Sequence, residues 1–137
     1  MMKGLDEMMQ TSSLKTVAET ISLLLDAEIE RTDGLWQIRK QRLAKNTKNT
    51  FCMMDFSLEV KSFEENGTAV NKASVYLLPE ELPRFTSALW QHPISFPTTF
   101  SQKQTADHHL YCLHLETKEL PQDFVERLAD ALQTILE

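Results

Sequence analysis

Apolar residues recur at three- and four-residue spacing along the first strongly patterned stretch: Leu14, Val17, Ala18, Ile21, Leu24, Leu25 and Ile29. That spacing lines one face of a helix over about 14–29, with Ser12 or Ser13 as its N-cap. Residues 1–11 read as a loose lead-in, and Asp33-Gly34 reads as a turn. From Leu35 to Leu43 the period becomes two, with Trp36 and Ile38 alternating with Gln37 and Arg39. A strand is predicted there. Leu35 and Ile38 also suit a short helix, so that alternative stays open. The run Asn46-Thr47-Lys48-Asn49-Thr50 is a polar turn.

The strictest alternation comes next. Phe56, Leu58 and Val60 are interleaved with Asp55, Ser57, Glu59 and Lys61, and a second run extends from Val70 to Leu78. Between them lies Asn66-Gly67, the signature of a two-residue type I′ turn. That turn would set Phe56 opposite Leu77, Leu58 opposite Val75 and Val60 opposite Ala73. On the other face Ser57 would meet Tyr76, Glu59 would meet Ser74, and Lys61 would meet Lys72. A slip of one residue would put apolar groups against polar ones.

A helix is predicted over about Glu80–Gln91, buried through Leu82, Phe85, Ala88 and Leu89. Pro79 and Pro83 sit near its start, where a missing N–H costs little. His92-Pro93 closes it. Ile94, Phe96 and Phe100 suggest a short edge strand. Leu110–Glu116 reads as a strand with Tyr111, Leu113 and Leu115 inward. Pro121–Leu136 reads as the final helix, with Phe124, Leu128, Ala131, Leu132 and Ile135 in line. The expected order is α-β-β-β-α-β-β-α. It describes one α+β domain over residues 1–137, an antiparallel sheet with helices packed on one face.

Composition narrows the class. The chain has 137 residues, 42% hydrophobic and 25% charged, an ordinary globular mix. Its longest aliphatic run, Leu23 to Leu25, is far short of the ~20 residues of a membrane span. Asp6 and Glu7 interrupt the region where a signal peptide would be apolar. A cytoplasmic protein with no membrane association is expected, and the two cysteines, Cys52 and Cys112, suit a reducing compartment. The Asn66-Gly67-Thr68 sequon is then a chance match.

Charge is uneven. The formal net charge is -6, yet no Asp or Glu occurs from Gly34 through Met54, a window holding Arg39, Lys40, Arg42, Lys45 and Lys48. Such a segment tracks phosphates, with Trp36 or Tyr76 stacking on bases, is a solvated face, or meets an acidic protein partner or the acidic helices of a second copy. Lys61 opposite Lys72 would repel unless an anion lay between them.

Chemistry-bearing constellations are sparse. His108, Cys112 and His114 would share one strand face, but His108 and Cys112 would stand about 13 Å apart at strand rise. Cys112 and His114 would still need further ligands from Cys52 or His92. No metal site and no cofactor is expected. Cys112 beside His114, or Cys52 beside Asp55, lacks an oxyanion element, and three glycines leave no phosphate loop. No catalytic residue is assigned, and an enzyme is not expected.

Apolar residues off the helix stripes point elsewhere. Leu23 and Leu24, then Val125, Ala129 and Leu136, and above all Trp90 suggest a binding surface. The element order, small size and acidic balance resemble class I type III secretion chaperones and bacterial relatives of that fold. That resemblance implies a homodimeric, non-enzymatic protein holding a partner segment in extended form. A second, local resemblance covers Met54–Trp90. The hairpin ending Lys72-Ala73-Ser74-Val75-Tyr76-Leu77 and entering Glu80-Glu81-Leu82-Pro83-Arg84-Phe85 is similar to the strand-into-helix ending of Pur-like and positive-cofactor-type single-strand binders. The expected function is a chaperone-like binding or adaptor protein, a homodimer that engages a protein partner through Trp36 and Trp90. The alternative is single-stranded nucleic-acid binding through Arg39, Lys40, Arg42, Lys45, Lys48, Lys61, Lys72 and Tyr76.

Overall fold

A computed structural model describes residues 15–136. The expected lead-in over 1–11, the caps at Ser12 and Ser13, and Leu14 lie outside the described residues. Helix α1 occupies 15–25. Then come β1 (Glu30–Thr32), β2 (Leu35–Lys45), β3 (Phe51–Lys61), β4 (Ala69–Leu77), α2 (Leu82–Gln91), β5 (Ser101–Asp107), β6 (Leu110–Glu119) and α3 (Pro121–Leu136). The strands form one antiparallel sheet in the order β1-β2-β3-β4-β6-β5. The α+β class stands, with one short strand, β1, added to the expected order.

Helix α1 ends sooner than its periodicity suggests. Asp26 takes a positive φ of 50°, and the Ala27 N–H turns back to the Ser22 carbonyl at 3.1 Å. Such a left-handed residue ends a helix by satisfying late carbonyls. The Lys40 ammonium donates to the carbonyls of Leu25 (3.1 Å) and Asp26 (3.0 Å). Cations are favoured at this negative helix end. Ile29 therefore lies beyond the helix, not on it.

Two hairpins share one turn design, and it differs from the expected type I′ turn. Asn46 N donates to the Thr50 carbonyl and Asn49 N to the Asn46 carbonyl. Glu64 N donates to Thr68, and Gly67 N to Glu64, in the same way. The fourth residue of each turn has positive φ: 63° at Asn49 and 89° at Gly67. Each loop thus has three residues between its paired ends, the arrangement with a left-handed bulge residue. Asn66 is not among the positive-φ residues; its Oδ1 accepts the Thr68 N–H at 3.1 Å instead.

This turn alters the β3–β4 register. The three-residue loop shifts it by one. A second extra residue lies between the Glu64–Thr68 link and the Lys61–Val70 pair, where Ser62 has φ 56°. Phe56 therefore faces Val75 rather than Leu77, Leu58 faces Ala73, and Val60 faces Asn71. Two single shifts make a slip of two, which changes partners but returns every side chain to its expected face. Lys61 does not oppose Lys72. Lys61 pairs with Val70, and Lys72 lies between Glu59 and Glu116.

The inner face carries the core. Trp36 and Ile38 of β2, Phe56, Leu58 and Val60 of β3, Val75 of β4 and Leu113 and Leu115 of β6 pack beneath Ala18, Ile21 and Leu25 of α1 and Phe124, Leu128 and Ile135 of α3. Helix α2 adds Phe85 and Leu89 and packs on α3. That second neighbour buries Val125, which the stripe had left outside. Leu23, Leu24 and Leu136 do remain exposed. The predicted edge strand is displaced: Ile94, Phe96 and Phe100 belong to the preceding loop, and the edge strand is the polar β5. Among the described residues, no helix is long and apolar enough to cross a membrane.

Candidate functional site

Strand β2 sorts its cations by face. Its even-numbered residues point inward with Trp36 and Ile38, and its odd-numbered residues point outward. Lys40 is therefore engaged at the end of α1, as described above. Arg42 binds Glu81 through two parallel bonds of 2.8 and 2.7 Å and also donates to the Tyr76 carbonyl at 3.1 Å. Glu81 is buried, and its Oε1 accepts the Leu78 N–H at 2.8 Å. This link closes the junction between β4 and α2 against β2. Lys40 and Arg42 thus do not join a phosphate-tracking surface.

The remaining cations of the nucleic-acid alternative are partly brought together. Arg39, Lys45, Lys61, Lys72 and Tyr76 lie on the outer face, while Lys48 lies in the β2–β3 turn. Acids are interleaved with them. Lys61 is 3.8 Å from Glu59, and Lys72 is 3.5 Å from Glu116. The repulsion that called for an anion is absent in this register.

The two tryptophans part company. Trp36 is only 5% exposed. Its ring packs on Phe63 at 4.6 Å, with the Arg31 guanidinium 5.3 Å from its centroid. Its place in the core corrects its assignment as a surface anchor. Trp90 is 59% exposed and stands edge-on to Phe96 and Phe100, with centroids at 4.7 and 5.3 Å. Phe96 and Phe100 stack at 3.9 Å, and Arg127 lies over Phe96. Behind that ring the buried Arg127 pairs with Glu119.

A second apolar surface went unread in the sequence. On the outer face of β2 and β3, Leu43 sits directly opposite Met53, and Lys45 opposite Phe51. Leu43 and Phe51 are each 62% exposed and Met53 is 56%. The Lys45 ammonium lies 5.7 Å from the Phe51 ring centre. The signal was present: Leu43, Phe51 and Met53 are odd-numbered, opposite in parity to the core residues of the same strands. A further cleft of about 220 Å³ opens between the ends of α1 and α3, lined by Leu24, Leu25, Phe56, Leu132 and Leu136 among others.

The histidine and cysteine groups are engaged separately. His108 is not on a strand; it starts the β5–β6 turn at φ 57°. His114 contacts Ser74 Oγ at 3.1 Å and Thr105 Oγ1 at 3.4 Å. Burial pushes the Cys112 thiol above its usual range, which favours the unreactive protonated form. Cys52 and Asp55 point to opposite faces of β3, and Asp55 accepts a 2.8 Å bond from Gln41. His92, Glu126 and Asp130 bring three potential ligand atoms within 4.8 Å. The Ile94 N–H donates to His92 Nδ1 at 3.0 Å, so the neutral ring carries its proton on Nε2 and directs it at Asp130, 2.6 Å away. Binding a cation through Nε2 would move that proton to Nδ1 and break the Ile94 bond. The cluster serves as a tie between α3 and the loop after α2.

No protein-family model, no curated protein and no solved structure matches this chain.

Proposed function

We propose that this chain is a non-enzymatic binding or adaptor protein of the cytoplasm, a homodimer that engages a protein partner. The observation that supports this reading is the presence of large exposed apolar side chains at two places. One is Trp90, set edge-on to the half-buried Phe96 and Phe100; the other is the exposed group Leu43, Phe51 and Met53. Exposed apolar residues are commonplace singly, but grouped aromatic and aliphatic residues mark interaction sites. Trp is enriched where binding energy concentrates. Two free cysteines are compatible with a reducing compartment.

Self-association is assigned to the Trp90 surface and partner binding to the β2–β3 surface. Sedimentation velocity of the full chain tests the first: a dimer is expected, and Trp90→Ala should give a folded monomer. Affinity capture from nuclease-treated lysate, comparing wild type with a Leu43→Ser, Met53→Ser variant, tests the second. A monomeric wild type whose captured proteins do not change in either variant would sink the reading.

A further inference from the structure

The sheet leaves one long strand edge open. Strand β1 pairs only with Leu35, Trp36 and Gln37 of β2. From Ile38 to Lys45, β2 has β3 on one side and, among the described residues, no strand on the other. Opposed residues in an antiparallel pair alternate between bonded and unbonded. The Asn46–Thr50 bond continues the β2–β3 register and sets the phase of that alternation. Arg39, Gln41, Leu43 and Lys45 consequently direct their N–H and C=O groups away from β3. Their side chains are exposed on the outer face as well. The open edge from Arg39 to Lys45 is about 20 Å long at strand rise.

We infer that this edge receives an extended segment of a protein partner, acidic with an apolar residue at its centre, added to the sheet as a strand beside β2. The inference rests on the protein-binding reading above and names the kind of partner. Backbone groups of an added strand would satisfy the free donors and acceptors together. Charge selects the sequence, since Arg39 and Lys45 make no ion pair among the described residues, the neighbouring Asp55 and Glu59 being engaged by Gln41 and Lys61. Leu43, with Met53 opposite it, offers apolar contact midway between Gln41 and Lys45. A second copy is disfavoured, because β2 laid against β2 would bring these cations together. A nucleic acid is disfavoured because phosphates accept bonds from N–H groups but offer nothing to the outward carbonyls.

The test uses the full chain and a fluorescein-labelled nonapeptide, Glu-Thr-Glu-Thr-Ile-Thr-Glu-Thr-Glu, followed by anisotropy. Leu43→Ala retains the edge N–H, and Leu43→Pro removes it without touching the β3 ladder. The peptide should bind Leu43→Pro about tenfold more weakly than Leu43→Ala, the effect of losing about one bond's worth of affinity. Should the proline variant fail to fold, the same loss is expected for wild type with a peptide N-methylated at alternate residues. Amide exchange at Arg39, Gln41, Leu43 and Lys45 should slow only when peptide is bound. The inference is overturned if the N-methylated peptide binds equally well, or if oligothymidylate binds more tightly and protects the same amides. It is also overturned if those amides are protected without peptide. Dependence on protein concentration would then identify a second copy as the occupant, and independence a segment of the same chain. Loss of strand addition with partner capture intact would leave the adaptor reading standing.

Discussion

The two long edges of this sheet face the same problem and differ in chemistry. Strand β5, at one side, is Ser101–Asp107, polar along its length, with one lysine and one aspartate and nothing apolar larger than Ala106. Strand β2, near the other side, keeps two outward cations without an ion pair among the described residues, Arg39 and Lys45, beside Leu43, Met53 and Phe51. Short, polar or charged edges resist pairing with other chains. By that measure β5 is inert in both charge and shape. On the inference drawn above, the charge of the β2 edge would repel its own copies and attract an acidic strand. An edge can thus be guarded against self-association and remain open to one class of partner.

The comparison requires that the inner-face cations of β2 belong to the fold and the outer-face cations do not. The largest expected effect tests that division. Arg42→Met leaves Glu81 buried without its partner, a loss of about 3–5 kcal/mol by urea unfolding. Arg39→Met, three residues earlier on the opposite face, should stay within about 0.5 kcal/mol of wild type. Equal losses would mean that the outer cations are structural too, and the contrast between the edges would fail.

Charge reversal sharpens the same contrast at the level of binding. Arg39→Glu with Lys45→Glu should weaken the acidic nonapeptide about tenfold or more, from attraction turned into repulsion at two positions. Lys103→Glu on β5 should leave its affinity unchanged. A comparable loss from Lys103→Glu would show that the peptide senses net charge rather than the β2 edge. Lys40→Met should cost about 1 kcal/mol, because it removes donors to two helix-end carbonyls from a half-exposed ammonium. Its effect should appear as faster amide exchange at the end of α1, with peptide affinity nearly unaltered.

Much of this was legible in the residues. The α3 bounds follow from Pro121 and an unbroken 3.6-residue stripe, and the faces of β3 and β4 follow from parity. The register did not follow, because Asn66-Gly67 is compatible with two turns and the extra residue at Ser62 has no sequence signature. The roles of Trp36, Lys40 and Arg42 could have been inferred together. They share the parity of Ile38, so a strand that buries one turns all of them toward the helices. The charge run obscured that by inviting a reading as one patch. The open edge lies outside what local pattern can report, since it depends on β1 beginning only at Glu30, opposite Gln37, and on strand order. The Leu43–Met53 pair likewise required knowing which residues cross the hairpin.

The smallest effect sets the scale for a solvated charge pair that joins the β3–β4 turn to β6, away from the open edge of β2. Glu64, at the β3–β4 turn, meets the Lys118 ammonium at 2.6 Å and accepts the Thr68 hydroxyl at 3.1 Å. The Lys118 bond first, then the Thr68 bond, hold its carboxyl below the usual glutamate range. A carboxyl lowered by folding stabilises the native state above its unfolded value. That contribution disappears as pH falls through the lowered folded value. Unfolding midpoints of wild type and Glu64→Gln should therefore differ slightly at neutral pH and converge toward strongly acidic pH, where both carry a neutral side chain. Added salt should shrink the neutral-pH difference, as for any exposed pair. A large, salt-resistant difference would show that exposed charges in this sheet do hold the fold. Arg39 and Lys45 could then no longer be treated as free for a partner on the ground of their exposure.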